Sequence, residues 1–125
     1  MSEIRATTIS DAAGTGPIAL TKQSAAKAWA DANGTGTVSM DDSFNISSMD
    51  DDGTGDYGFN FTNSFASTAY CPQASGRGDA NAEGSWCTST RVPATTSCDI
   101  AYFRNDTGSY QDQTALSWSA LGDLA

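Results

Sequence analysis

The sequence predicts a mainly β chain, a small antiparallel β-sandwich or jelly-roll-like domain, on three observations. Apolar and polar residues alternate with period two over Phe44–Ser47 and Tyr57–Phe61, aromatic residues make up 10% of the chain, and Gly-containing turn clusters recur at even spacing. At 125 residues and 13.0 kDa the chain has the size of one domain. Leu, Ile, Val and Phe number only 16, and with a net charge of −9 that scarcity alone points toward disorder. The 12 Phe, Trp and Tyr residues reverse the conclusion, because large rings supply the buried area that a thin β core otherwise lacks. So small a core is better stabilised when subunits share it, and assembly into an oligomer is expected.

The turn clusters Asp11-Ala-Ala-Gly14-Thr15-Gly16, Asp31-Ala-Asn-Gly34-Thr35-Gly36 and Asp51-Asp-Gly53-Thr54-Gly55 set a β rhythm, since Gly permits positive φ and Asp bonds turn backbone. Between the first two, Ser24–Ala32 has two readings. Its alanines, the capping residues Thr21 or Ser24 and Gly34 beyond favour a short helix. Alternation of Ala28, Ala30 and Ala32 with Lys27, Trp29 and Asp31 favours a strand. Around the third cluster, Phe44 and Ile46 alternate with Asn45 and Ser47, and Tyr57, Phe59 and Phe61 alternate with Gly58 and Asn60. This predicts a hairpin over Ser43–Thr62 with one apolar face and an acidic Gly-rich turn. Further strands are expected at Ala66–Cys71, Trp86–Val92, Cys98–Phe103 and Ala115–Leu121, with polar loops at Pro72–Ser85, Pro93–Ser97 and Arg104–Gln113.

Charge excludes several function classes. Fifteen acidic residues against six basic ones repel a nucleic-acid backbone and disfavour an anionic membrane surface. No apolar run approaches the roughly 20 residues of a spanning helix or the shorter stretch of a secretory signal, so a soluble, unprocessed chain is expected. The absence of His removes Ser–His and Cys–His nucleophiles and imidazole metal sites. Cys71, Cys87 and Cys98 lack zinc-ribbon spacing; Cys87 and Cys98 are placed to face each other on neighbouring strands, but reduced, core-filling thiols are favoured. Asn-x-Ser/Thr sequences at Asn33, Asn45, Asn60 and Asn105 arise by chance in so Ser/Thr-rich a chain, and no glycosylation is expected.

Catalytic and metal chemistry find little support. Asp50, Asp52, Thr54 and Gly55 open like a calcium loop, but Phe61 stands where a bidentate Glu is needed. A solvated acidic turn is favoured over weak calcium binding by Asp50, Asp51, Asp52 and Asp56. Glycoside hydrolysis needs a desolvated acid, whereas the acids here fall in polar turns. The Gly-Thr-Gly triplets lack dinucleotide-site spacing. No catalytic residue, cofactor or metal site is expected. Arg77-Gly78-Asp79 spells an adhesion tripeptide, with an ordinary exposed loop the favoured reading. Trp86, Trp118 and Tyr102 fit the core; Tyr110, in loop sequence, divides evenly between core and stacking surface.

Residues Thr21 to Phe65 carry Lys27-Ala-Trp29, Asn33-Gly-Thr-Gly-Thr37, Asp42-Ser-Phe-Asn-Ile-Ser-Ser48, Gly53-Thr-Gly-Asp-Tyr57 and Asn60-Phe-Thr62. In that order they resemble a module of tail-fibre-like and other structural proteins of tailed, especially marine, bacteriophages. The closing run Leu116 to Leu124 and the opening Ser2 to Pro17 are similar to the ends of such proteins, while Cys71 to Gln113 matches only in general character. The resemblance implies a strand at Lys27–Ala32, an N-terminal attachment segment over residues 1–20 that joins other virion proteins, and a β-rich fibre or tip-like domain over 21–125. It implies a noncatalytic virion component on the particle surface, in a tail or head appendage, assembled as a homotrimer with loops facing a host glycan or protein. The alternative is a capsid decoration or head-fibre protein without receptor binding; a carbohydrate-processing enzyme stands third. Receptor contacts are expected in the two long polar loops. Arg77 and Arg104 supply directional donors, Asp79 and Asn81 hydrogen-bonding partners, and Tyr110 a stacking face.

Overall fold

Alternation overrides helix propensity in the first strand of the computed structural model, which describes residues 25–77 and 86–125. Strand β1 (Ala28–Asn33) buries Ala28, Ala30 and Ala32 and turns Trp29 and Asp31 to the opposite face. A helix turns Ala30 away from the face that Ala28 and Ala32 share, whereas a strand sets all three against the facing sheet. That packing outweighs propensity differences below about 1 kcal/mol per residue. The other strands are β2 (Ser39–Phe44), β3 (Ile46–Gly53), β4 (Asp56–Phe61), β5 (Cys71–Arg77), β6 (Trp86–Arg91), β7 (Ser97–Arg104) and β8 (Ala115–Leu121), with no helix among the described residues. They form two antiparallel four-stranded sheets, ordered β2-β1-β8-β5 and β3-β4-β7-β6, as a small β-sandwich.

The two inner faces are unequal, and their inequality builds the core. One sheet contributes Ala28, Ala30, Ala32 and Ala120 with Leu116 and Trp118; the other contributes Tyr57, Phe59, Phe61, Cys98, Ile100 and Tyr102. Small side chains on the first leave an intersheet gap of about 10 Å to be filled by rings from the second. Trp118 is the exception, stacked on Phe59 and Phe61 with ring centroids 5.6 and 5.5 Å away. Phe61 meets Phe65 edge-on at 5.1 Å, and Phe65 stacks on Tyr70 at 4.4 Å. Trp118 and Tyr102 are core residues as expected, whereas the Trp86 side chain and the first turn cluster lie outside the described residues.

Asn45 corrects the expected hairpin. It stands in the left-handed region with φ of 59°, which Asn tolerates better than most residues, and there the chain passes from one sheet to the other. Its amide donates to the carbonyls of Lys27 (3.1 Å) and Asn63 (3.0 Å) and accepts from the Asn63 backbone N–H (2.7 Å). Phe44 and Ile46 therefore belong to different sheets: Ile46 is buried, and Phe44 is 52% exposed. The hairpin proper is β3–β4, and Asp50, Asp51 and Asp52 lie within β3 rather than in its turn. The reversal is confined to Thr54 and Gly55, where φ is 66° and a Cβ would fall 2.6 Å from the Tyr102 carbonyl oxygen.

Three further expectations change. No strand forms over Ala66–Cys71: Phe65 makes one bridge to Leu124, the chain bends, and the Tyr70 hydroxyl donates to the Ala94 and Ser97 carbonyls (3.1 and 3.0 Å). Both rings are core anchors, and a straight strand cannot seat them one on the other. Strand β5 instead takes Pro72 to Arg77 from the expected loop, Pro72 being tolerated because β5 is an edge strand. Cys87 lies opposite Phe103 and Cys98 opposite Phe59, so the two thiols do not face each other; of the three free cysteines only Cys98 is buried. Phe59→Ala is expected to cost about 3–5 kcal/mol in urea denaturation, and Asn45→Ala about 1–3 kcal/mol through lost hydrogen bonds and an unfavourable φ, while the exposed Asp51→Asn leaves the midpoint nearly unchanged.

Candidate functional site

Register gathers turns and strand ends at one pole of the sandwich. Arg77 ends β5 opposite Ala115, Trp86 opens β6 opposite Arg104, and Gly53 lies opposite Asp56 across the β3–β4 turn. The β1–β2 turn joins this pole through the Gly34 N–H, which donates to the Gln113 carbonyl at 2.9 Å. Arg77, Trp86 and the connection from Arg104 to Gln113 thus share one end of the molecule, together with the second and third Gly-Thr-Gly turns.

A polar clasp fastens this pole to the core. The buried Tyr57 hydroxyl donates to the Gly34 carbonyl (2.8 Å) and to Asp112 Oδ1 (3.2 Å), and the same carboxylate oxygen accepts from the Gly55 N–H at 2.7 Å. One carboxylate thereby ties the β3–β4 turn to the segment leading into β8. Burial first, then the charge of Asp112, pushes the Tyr57 phenol well above its ordinary value, so it remains a donor throughout the physiological range. The contact leaves no room for a side chain at Gly34, where a Cβ would sit 2.5 Å from Tyr57 Cζ and 2.9 Å from Leu116 Cδ1.

Arg104 and Tyr110 occupy a small hairpin that extends β7. The Arg104 N–H donates to the Ser109 carbonyl (2.9 Å), Phe103 bridges Tyr110, and the Gln111 N–H donates to the Tyr102 carbonyl (3.2 Å). Arg104 grips Asp106 through Nε–Oδ1 (3.0 Å) and Nη2–Oδ2 (2.6 Å), and that guanidinium holds the Asp106 carboxyl below its usual value. Tyr110 is 50% exposed, its ring tilted against Phe103 with centroids 6.1 Å apart. Of the expected contact residues, Arg104 and Tyr110 lie on this one hairpin, Tyr110 opposite Phe103 and Arg104 beside Ser109. Arg77 lies on β5 rather than in a loop, because its backbone continues the pairing with β8, and Asp79 and Asn81 lie outside the described residues. Asp112, Tyr57 and Gly34 were not legible as a unit, since a clasp across 55 and 23 positions leaves no local pattern.

Of the acids weighed as calcium ligands, Asp50 and Asp56 are held by other side chains. Asp50 Oδ2 accepts from the Asn60 amide at 2.6 Å, and Asp56 receives Arg91 in a two-oxygen pair at 2.7 and 2.5 Å. Among the described residues no group of three or more Cys, Asp or Glu side chains is arranged to hold a metal ion. Asp99, on the outward side of β7, is raised above the ordinary aspartate value by burial and then by the charges of Asp52 and Asp56.

No family model matches the chain, and neither a curated protein nor a solved structure matches it.

Two stability experiments follow from this geometry. Tyr57→Phe, which keeps the ring and deletes both hydroxyl bonds, is expected to cost about 1–3 kcal/mol, with Gly34→Ala costing more because the added methyl meets Tyr57 and Leu116. The folded protein holds the Asp99 proton more tightly than the unfolded chain. The resulting destabilisation is therefore absent below the ordinary value of 3.8 and complete once pH exceeds the raised folded value. Thermal melts at neutral pH are expected to show Asp99→Asn above the parent, with the difference shrinking as pH falls.

Proposed function

We propose that this chain is a noncatalytic bacteriophage virion structural protein, tail-fibre-like, that binds a host-cell surface through the loop-bearing pole. The resemblance of Thr21 to Phe65 supports the virion assignment. The observation that carries the recognition role is the pre-ordered Arg104–Tyr110 hairpin: a guanidinium fixed by Asp106 and a half-exposed phenol ring resting on Phe103, at the pole where Arg77 also ends β5. Side chains fixed before binding lose less entropy on contact. The scarcity of aliphatic residues and the four sheet edges, β2, β5, β3 and β6, support assembly as a homotrimer in which neighbouring subunits protect those edges.

Light scattering on the purified protein is expected to give a trimer, and a monodisperse 13.0 kDa species at micromolar concentration would count against that assembly. Labelled antibody on particles is expected at a tail or head appendage. Replacing Arg104 and Tyr110 together by Ala is expected to weaken host-cell binding at least tenfold with the melting temperature and oligomeric state retained. Undiminished binding by that variant, or none by the parent, would favour a decoration protein that coats the capsid without binding a receptor.

A further inference from the structure

The outer face of the sheet β2-β1-β8-β5 carries a furrow distinct from the pole. Its floor is the outward side of β8, where Ala115, Ser117 and Ser119 are small, while Leu116, Trp118 and Ala120 take the core positions. Trp29 and Asp31 of β1 form one wall, and Gln73 and Ser75 of β5 form the other. The furrow encloses about 450 Å³ and runs into a second hollow of about 340 Å³ that shares Asp31, Ser75 and Ser117.

Strand register arranges this face in two rows. Phe44, Trp29, Ser119 and Gln73 lie opposite one another in the first; Asp42, Asp31, Ser117 and Ser75 lie opposite one another in the second. Registered partners share a face about 5 Å apart from strand to strand, and the rows are separated by two residues, about 7 Å. An aromatic row therefore runs beside a row of carboxylates and hydroxyls at the spacing of a single sugar ring.

We propose that this furrow binds a neutral carbohydrate chain. A pyranose presents an apolar C–H face and a rim of hydroxyls, which match an indole wall on one side and hydrogen-bonding groups on the other. Asp31 accepts from sugar hydroxyls in charge-assisted bonds; Gln73 both donates and accepts. The Ser117 hydroxyl lies 3.5 Å from Asp31 Oδ1, at the limit of hydrogen-bond range, so it is displaced toward a ligand at little cost. Two carboxylates in one row, each registered against neutral or acidic partners, repel an anionic ligand. A cationic peptide satisfies those carboxylates but makes no use of Ser119, Gln73 and Ser75. The furrow is open along the strands, which suits an extended chain rather than an enclosed metabolite. This site lies on a sheet face rather than at the pole, and it stands whether or not the chain is a virion protein.

The test is electrophoresis of the full chain through native gels containing a neutral β-glucan, an α-mannan or a galactan, with oligolysine titration as the cationic comparison. At least one polysaccharide is expected to retard the protein. Trp29→Ala is expected to weaken that binding at least tenfold and Asp31→Asn several-fold, while Trp29→Phe restores part of it and Asp51→Asn on the other sheet leaves it unchanged. A melting curve for each variant separates lost binding from lost folding, and Trp29→Phe keeps the test decisive if Trp29→Ala is unstable. The proposal is overturned by absence of retardation in all three gels, by equal binding of folded Trp29→Ala, or by tighter binding of oligolysine than of any polysaccharide. It is equally overturned by self-association of the parent that Trp29→Ala abolishes, which would make the face a contact between copies. Host-cell binding by the Arg104 and Tyr110 variant is a separate measurement, so failure at either site leaves the other standing.

Discussion

The sandwich depends on Trp118 being the large ring on the inner face of a sheet that otherwise packs mainly alanines inward. Ala28, Ala30, Ala32 and Ala120 line the inner face around it, and the indole enters the space between Phe59 and Phe61 from the opposite sheet. This asymmetry explains how a chain with so few aliphatic residues forms a packed interior: volume comes from few, wide side chains held by ring stacking. It also dictates the exterior of β8. Because Leu116, Trp118 and Ala120 face inward, alternation sends Ala115, Ser117 and Ser119 outward, and their small size makes the floor of the furrow.

The same core supports the pole at a distance. Tyr57 is the first aromatic of the inward-facing row on β4, and its ring closes the core at the pole while its hydroxyl reaches Gly34 and Asp112. Packing and loop placement are therefore coupled through one side chain. The β7 extension carrying Arg104 and Tyr110 begins just beyond the buried Tyr102, so its base is fixed by the sheet and its tip by its own backbone bonds. Rigid elements with ordered protrusions are the arrangement that recognition surfaces use.

What was legible in the sequence was what has a short period. Strands β4, β6, β7 and β8 fall where alternation places them, and the aromatic residues of β4 and β8 form the core that composition demands. What depends on a single conformational switch was hidden. One left-handed Asn45 divides an alternating run between two sheets, and one bend lets Phe65 and Tyr70 stack where a continuous strand was expected. Strand β2 was missed because Ser39–Phe44 carries two adjacent acids and is exposed along most of its length, which gives edge strands little apolar signal. At the candidate site, Arg104 and Tyr110 were identifiable by residue type, but the clasp that places their loop spans too much sequence to leave a pattern. Trp29 and Asp31 were visible as the outward half of the β1 alternation, yet the furrow they flank arises only when β5 and β8 are set beside them.

The pairing of β1 with β8 joins Ala28 to Ala120 and Ala32 to Leu116. Such contacts close a loop of almost the whole described chain before any stabilisation is returned, and chains built this way fold slowly. β1 and β2 precede the rest of their sheet in the chain, and closure of that sheet waits for the segment bearing Trp118. The second sheet closes over shorter loops, since β3-β4 and β6-β7 are local hairpins joined to each other through β4 and β7. The molecule thus has an early half and a late half. Its late half carries the furrow, so a ligand on that face would act on the part of the fold completed last.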